Sequence, residues 1–319
     1  MTNIIDLGQD FYIIANLNAG GGRNVFADLQ NLVYKLESNG LNIGYSKHIF
    51  TSCNIKPFWD DLDIQYEASL SYDGLIVLGG DGTKTYILNK LIADKINKPF
   101  IGVSSGTMNV GYTTAFSIAD EIPMQLSEFN LDAVMSYCND KSDKVEYSFL
   151  ESVVGNTFVT TCNNSVTQVS AEKFLQTGDK IRSIPQPIGN VDTNIHVKYM
   201  DSTKTVRLPS FSQISTLAVA PLSKELRARV LAGGANPSVC IGMPGGLIIA
   251  DFPLIWADVT MSEILEVSPI SSTFFPLNYE DEVNVSKIKN GLLISDGNVV
   301  RKVDSINFKL IKEVYKIYK

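Results

Sequence analysis

Histidine and cysteine are scarce in this chain. Two histidines, His48 and His196, and four cysteines, Cys53, Cys138, Cys162 and Cys240, are spread over 319 residues without any C-x-x-C pair. That scatter argues against a zinc site and against a disulfide framework. Long apolar runs are missing as well: stretches such as Gly74–Leu78 and Leu217–Ala220 fall far short of the roughly 20 residues that cross a bilayer. No membrane-spanning segment is expected. The opening M-T-N-I-I-D-L-G-Q-D has no basic region and carries Asp6, so it does not read as a secretory signal, and the cytoplasm is the expected location. Positive charge is also in short supply, with 27 Lys and Arg against 34 Asp and Glu and a formal net charge of −7. A nucleic-acid partner would call for a basic face, and tight docking on an anionic membrane would call for basic clusters; neither is expected.

What the chain does have is 45% apolar residues over 319 positions, enough for a sizeable core and, on length, two domains. The first 115 residues alternate short apolar runs with glycine-rich turns and helix-period segments. F-Y-I-I-A-N (11–16), N-I-G-Y-S-K-H-I-F (42–50), D-G-L-I-V-L-G-G (73–80) and P-F-I-G-V-S (99–104) read as strands. Val25, Phe26, Leu29, Leu32, Val33 and Leu36 fall at helical spacing, T-Y-I-L-N-K-L-I-A-D (85–94) predicts a second helix, and another is expected after Thr107. Such alternation predicts a parallel α/β sheet. Beyond about residue 145, strand-like runs separated by Gly and Pro replace the helices: Y-S-F-L-E-S-V-V, T-F-V-T-T, N-I-H-V-K-Y-M, I-S-T-L-A-V-A, V-C-I-G-M, G-L-I-I-A-D and W-A-D-V-T-M. The last segment, F-K-L-I-K-E-V-Y-K-I-Y-K, is amphipathic with lysines on one side and is expected to be helical. The expected fold is thus α/β: a three-layer parallel-sheet nucleotide domain over residues 1–145, to which 298–319 returns, and an antiparallel, β-sandwich-like domain over 146–297.

Residues 77–85, V-L-G-G-D-G-T-K-T, put a lone carboxylate among glycines at the end of an apparently buried strand. Glycines let a main chain approach a phosphate closely, and a helix starting near Thr83 turns its positive end to the same place. Asp81 would repel a phosphate directly, so it makes sense there as a Mg²⁺ ligand or as the acceptor of a proton from an attacking hydroxyl. The plain alternative is a tight turn in which Asp81 caps the helix. Two more glycine turns at matching topological positions, N-A-G-G-G-R (18–23) and S-S-G-T-M-N (104–109), favour the phosphate reading. Thr83 and Thr107 either bond phosphates or cap helices, the commoner use of threonine there; Arg23 either meets a phosphate oxygen or is a solvated arginine.

G-G-D-G-T between a strand and a helix resembles the signature of the superfamily uniting NAD kinases with diacylglycerol and sphingosine kinases. N-L-N-A-G-G-G-R (16–23) is similar to the lipid-kinase pattern N-P-x-S/A-G-x-G-K/R, with Leu17 in the proline's place; Asn89 and Leu91 follow G-G-D-G-T, and G-T-M-N (106–109) follows the fourth strand, as in lipid kinases. P-F-I-G-V-S-S-G-T-M-N-V-G-Y-T-T keeps features of the NAD kinase third turn. The resemblance covers residues 11–120. It implies ATP bound with Mg²⁺ across Asn16, Gly20, Gly21, Gly22, Arg23, Gly79, Gly80, Gly82, Thr83, Gly106, Thr107 and Asn109. It further implies Asp81 as the catalytic carboxylate, and a site in a cleft between two domains.

The second half departs from both branches. L-E-S-V-V (150–154) stands where NAD kinases have L-N-E-V-V, T-P-T-G-S-T-A-Y is absent, and the lipid-kinase D-D-G-x-L-D is matched poorly by 245–251 or W-A-D (256–258). S-P-I-S-S (268–272) is similar to the NAD kinase T-P-I, and I-S-D-G-N (294–298) to the D-G-Q or D-G-E of both. Asp296 is therefore a second metal candidate beside Asp81, although Asp296-Gly297 is equally a hairpin signal. The expected activity is an ATP-dependent kinase with a lipid hydroxyl (diacylglycerol or sphingoid-like) as acceptor. The alternatives are an NAD kinase or a relative acting on a small molecule, and a nucleotide-binding module without catalysis. A homodimer is compatible with each.

Overall fold

The computed structural model describes residues 2–16, 25–46, 58–105, 111–138, 144–162, 165–206, 213–222, 242–251 and 272–319. The chain divides into two compact units. The first holds Met1–Leu131, Asn163–Ser165 and Glu313–Lys319; the second holds Asp132–Cys162 and Val166–Lys312.

In the first unit β1 (Asp10–Ala15), α1 (Val25–Ser38), β2 (Asn42–Tyr45), α2 (Phe58–Ser69), β3 (Gly74–Gly79), α3 (Asp81–Ala93), β4 (Phe100–Ser104) and β5 (Phe116–Ser117) follow one another. The five strands form one parallel sheet in the order β2-β1-β3-β4-β5. β3 and β4 are buried at every position and β1 at all but its first; strands buried on both faces are those of a parallel sheet under helices. Phe11, Ile13, Ala15, Ile76 and Leu78 pack with Val25, Leu29, Leu32, Val33 and Leu36 of α1. The intervening Ile14, Leu75 and Val77 point to the opposite face and are just as buried. α2 and α3, absent from α1's cluster, pack on β1 and β3. Helices thus cover both faces, giving a three-layer α/β unit. The sequence reading passed over α2 because its acidic D-D-L-D-I-Q-Y-E has little apolar periodicity.

The helix expected after Thr107 is not present among the described residues that follow. Residues 111–115 instead turn into β5. The Ala115 N–H donates to the Gly102 carbonyl (2.7 Å). A Cβ on Gly102 would lie 1.9 Å from the Thr113 oxygen. The segment is therefore pressed against β4, and the glycine there is what lets it come so close.

The second unit is built on an antiparallel sheet. Its strands are β6 (Glu128–Tyr137, shared with the first unit), β7 (Glu146–Ser148), β8 (Ser152–Gly155), β9 (Asn194–Tyr199), β10 (Ser202–Val206), β11 (Thr216–Pro221), β12 (Gly245–Ala250), β13 (Ser272–Leu277), β14 (Glu282–Ser295) and β15 (Asn298–Tyr318, in the first unit from Glu313 onward). Their order is β13-β12-β11-β8-β14-β15-β6-β7, with β9 paired to both β14 and β10. Val154, Leu217, Val219, Leu247, Val283, Val285 and Phe308 meet in its core. V-C-I-G-M, in its first three residues, and W-A-D-V-T-M lie outside the described residues.

The C-terminal segment is a strand and not the expected helix. Ile306, Phe308 and Leu310 are buried in period two, and Tyr315 and Ile317 resume the alternation after Glu313, whose φ is +53°. That interruption shifts the phase, so Ile311, Val314, Tyr315 and Tyr318 sit at i, i+3, i+4 and i+7 and imitate a helix face. A one-residue irregularity in a strand is enough to counterfeit the helical period.

Candidate functional site

From β1 the chain crosses to β2 on one side and, through α2, to β3 on the other. The strand order therefore reverses between β1 and β3, and α/β sheets bind ligands at the carboxyl edge of such a reversal. Asn16 leaves β1 there. Its N–H donates to the Leu78 carbonyl (3.0 Å) and its Nδ2 to the Thr83 Oγ1 (2.8 Å), tying the end of β1 to the glycine turn after β3. Gln65 of α2, fully buried, fixes the end of β1 from behind: the Ala15 N–H donates to Oε1 (2.8 Å) while Nε2 donates to the Ala15 carbonyl (3.0 Å).

Gly80 is the N-cap of α3, extended at φ −78° and ψ 176°, and so brings no side-chain cap of its own. Asp81 is the first helical residue rather than the cap, and Thr83 lies inside the first turn with its hydroxyl held by Asn16. The positive end of a 13-residue helix thus meets the switch point at a glycine, the kind of terminus that receives an anion. Gly79 is required by packing: a Cβ there would stand 2.9 Å from the Thr83 side chain.

Asp81 is buried, and both its oxygens are engaged: Oδ2 accepts the Gly111 N–H at 2.9 Å, and Oδ1 faces the Lys84 ammonium at 3.4 Å. Lys84 has no exposed surface and donates to the Thr114 Oγ1 at 2.6 Å. Burial pushes the Lys84 ammonium below its ordinary value, and the Asp81 carboxylate works against that shift. Two more hydroxyls, Ser105 Oγ just past β4 and Thr113 Oγ1 next to Thr114 in sequence, are buried without a hydrogen-bond partner among the described residues. Sequence reasoning missed Lys84, Gln65, Ser105, Thr113 and Thr114. The available signal was the D-x-x-K spacing of Asp81 and Lys84, which places the two on one face of a helix.

Of the residues assigned to the nucleotide from sequence, the structure brings together Asn16, Gly79, Gly80, Asp81, Gly82 and Thr83 at the ends of β1 and β3. Gly20, Gly21, Gly22, Arg23, Gly106, Thr107 and Asn109 lie outside the described residues.

Asp296, in the second unit, is a turn residue. With φ +47°, and Gly297 at +83°, it makes the two-residue connection between β14 and β15, the left-handed pair that an Asp-Gly hairpin requires. Its carboxylate accepts three backbone N–H groups, from Phe149 (2.7 Å), Leu150 (2.9 Å) and Glu151 (2.8 Å). Beside it, burial raises the Glu151 carboxyl to about 8, with Asp296 adding to the shift. Burial raises Glu146 to about 7; Asp296 again adds to this, while Lys144 and Arg301 oppose it.

Residues 10–144 match the family described as the diacylglycerol kinase catalytic domain. Among curated proteins, an NAD kinase of Clostridium beijerinckii is 34% identical over 116 residues, which is 34% of this chain and 39% of that protein. The stretch that matches the diacylglycerol kinase catalytic domain holds the switch point. The resemblance to the superfamily uniting NAD kinases and diacylglycerol kinases stands. A likeness in fold alone extends further: a diacylglycerol kinase structure from Bacillus anthracis str. Sterne covers 97% of this chain and 96% of its own at a TM-score of 0.51 and 12% identity. A second from the same strain gives 0.53 and 13% over the same shares. At such identities these two speak for the fold alone.

For the Mg²⁺ that the superfamily implies, neither carboxylate named from sequence fits as a ligand. Asp81 is bonded to an ammonium and an amide, Asp296 to three amides. Among the described residues no group of three His, Cys, Asp or Glu side chains is arranged to hold a metal.

Proposed function

We propose that this chain is an ATP-dependent phosphotransferase whose acceptor is a lipid hydroxyl, of a diacylglycerol or a sphingoid-like base. One observation carries the reading: a helix N-terminus with glycine at its cap, at the strand-order reversal and with Asn16 bridged to Thr83, lies within the stretch that matches the diacylglycerol kinase catalytic domain. The nucleotide's phosphates rest on the main chain of Gly79–Thr83, and the α3 dipole offsets their charge. Phosphoryl transfer asks chiefly for positioning and charge stabilisation, so backbone amides and one fixed carboxylate suffice, and no His or Cys is needed. In this reading Asp81 accepts the proton of the attacking hydroxyl. ATP is the donor in this reading, and any magnesium belongs to the nucleotide rather than to a protein cage.

A second reading has its own support. The identity of 34% over 116 residues to an NAD kinase favours NAD as acceptor. Against it stands L-E-S-V-V at 150–154 in place of the Asn-Glu pair. ATP consumption by the pure protein, assayed against diacylglycerol and sphingosine in mixed micelles and against NAD in solution, separates the two. Lipid-dependent turnover is expected. NADP formation would replace the first reading by the second, and no turnover on any acceptor would leave a nucleotide-binding module.

A further inference from the structure

Lys84 has no place in the phosphoryl-transfer reading given so far, yet it is the least solvated charge described near the site. It follows Asp81 by three residues on α3 and has no exposed surface. Its stem runs past β4, where a Cβ on Gly102 would come within 3.0 Å of the Lys84 Cδ. The ammonium ends between Thr114 Oγ1 at 2.6 Å and Asp81 Oδ1 at 3.4 Å, while Asp81 Oδ2 takes the Gly111 N–H at 2.9 Å. The carboxylate is thus held from two sides by groups of different elements: an ammonium on its own helix and an amide of the segment leading to β5.

Stability does not demand this arrangement. A buried ion pair is commonly replaced by apolar residues without loss, and Ile87, Leu88 and Leu91 are apolar residues buried on the same helix. What the pair supplies is a fixed carboxylate with its charge balanced, at the edge where anionic phosphates would approach. An isolated carboxylate buried there would take up a proton or oppose the nucleotide.

We infer that Lys84 is a positioning residue, whose buried ammonium, anchored by Thr114, holds the Asp81 carboxylate against the Gly111 amide beside the phosphate cradle. The inference rests on the phosphotransferase reading for its functional consequence, and on the geometry alone for its structural one. Lys84→Met keeps the stem and removes the charge. In that variant the Gly111 amide, followed by hydrogen exchange in the whole protein, should exchange at least about tenfold faster, the worth of one charge-assisted hydrogen bond. The kcat for ATP should fall up to about a hundredfold, as expected for a misplaced catalytic group, with KM for ATP little changed. A loss in kcat combined with D81N is the discriminating control: D81N/K84M should be no slower than D81N, because Lys84 acts only through that carboxylate.

Unchanged Gly111 protection together with unchanged kcat in K84M overturns the proposal, and so does a further loss of kcat in the double variant relative to D81N. If K84M fails to fold, the comparison of D81N/K84M with D81N decides, since the double variant buries neither charge. Should the wild type turn over none of the acceptors, the kinase reading fails, and Gly111 exchange still decides whether Lys84 positions Asp81.

Discussion

Asp81 and Lys84 are a buried pair, so the obvious test of the carboxylate has two consequences that must be kept apart. In the kinase reading Asp81→Asn removes the proton acceptor, and turnover should drop by at least about a hundredfold, the low end for a general base. It also leaves the Lys84 ammonium buried beside Thr114 without the Asp81 charge to balance it, and breaking a buried pair costs about 3–5 kcal/mol. Thermal denaturation should therefore show D81N destabilised and D81N/K84M recovering most of that loss while turnover stays low. Recovery of turnover in the double variant would mean that Asp81 matters for packing alone. Glu151 makes a second residue-scale case. Its folded carboxyl, raised to about 8, binds a proton more tightly than in the unfolded chain. Its contribution is complete at acid pH and is lost as pH rises through about 8. Glu151→Gln should accordingly leave the Tm nearly unchanged at pH 5 and raise it at pH 9; a stabilisation equal at both would show that the carboxyl is not the titrating group. Neither pairing was legible in the sequence. A lysine on a helix reads as solvated, and L-E-S-V-V gives no hint that an Asp 145 residues later closes over it, because such partners are set by tertiary contact and not by local spacing.

The elements that carry the site were legible because burial on both faces leaves a continuous apolar run. I-V-L-G-G and F-I-G-V-S end in glycine or serine where the chain must turn, so strand type and exit point both show in the text of the chain. Elements that depend on a partner did not show. The segment after the third glycine turn was read as a helix, whereas its conformation is set by contact with Gly102, which no local pattern records. Gly102→Ala follows from that contact. The new Cβ would overlap the Thr113 oxygen at 1.9 Å, and backbone cannot step aside as a flexible side-chain end can. β4 and the 113–115 segment must separate, at a cost of about 1–3 kcal/mol for overpacking, with Thr114 drawn away from Lys84. The measurement is denaturant midpoint together with kcat. A stable variant with normal turnover would show that the close approach at Gly102 is not needed for the site.

At the scale of the molecule, the chain's last residues close the first unit from the far end of the sequence. Glu313–Lys319 are counted in that unit although Lys312, their neighbour on the same strand, is counted in the second. The Tyr315 hydroxyl donates to the Lys98 carbonyl (3.0 Å) and accepts the Lys98 N–H (3.1 Å). The main chains of Lys319 and Ser127 exchange hydrogen bonds of 2.7 and 3.0 Å, and Tyr318 joins the cluster of α1 and β1. Lys98 in turn gives its ammonium to the carbonyls of Leu70 and Tyr72, both at 2.5 Å, in the turn that leads into β3. Removing residues 313–319 should therefore loosen the support behind the switch point without touching any residue assigned to the nucleotide. Burying Tyr315, Ile317 and Tyr318 contributes about 1.5–3 kcal/mol each, so their loss, of order 5 kcal/mol, is comparable to the whole stability of many domains. Denaturant unfolding followed by a probe in the first unit, such as fluorescence of Trp59, should show its transition moved to much lower denaturant. Hydrogen exchange of the β3 amides should quicken in parallel. Unchanged β3 protection in the truncated chain would mean that the parallel sheet holds the glycine edge by itself, and that these seven residues are attached to the first unit without stabilising it.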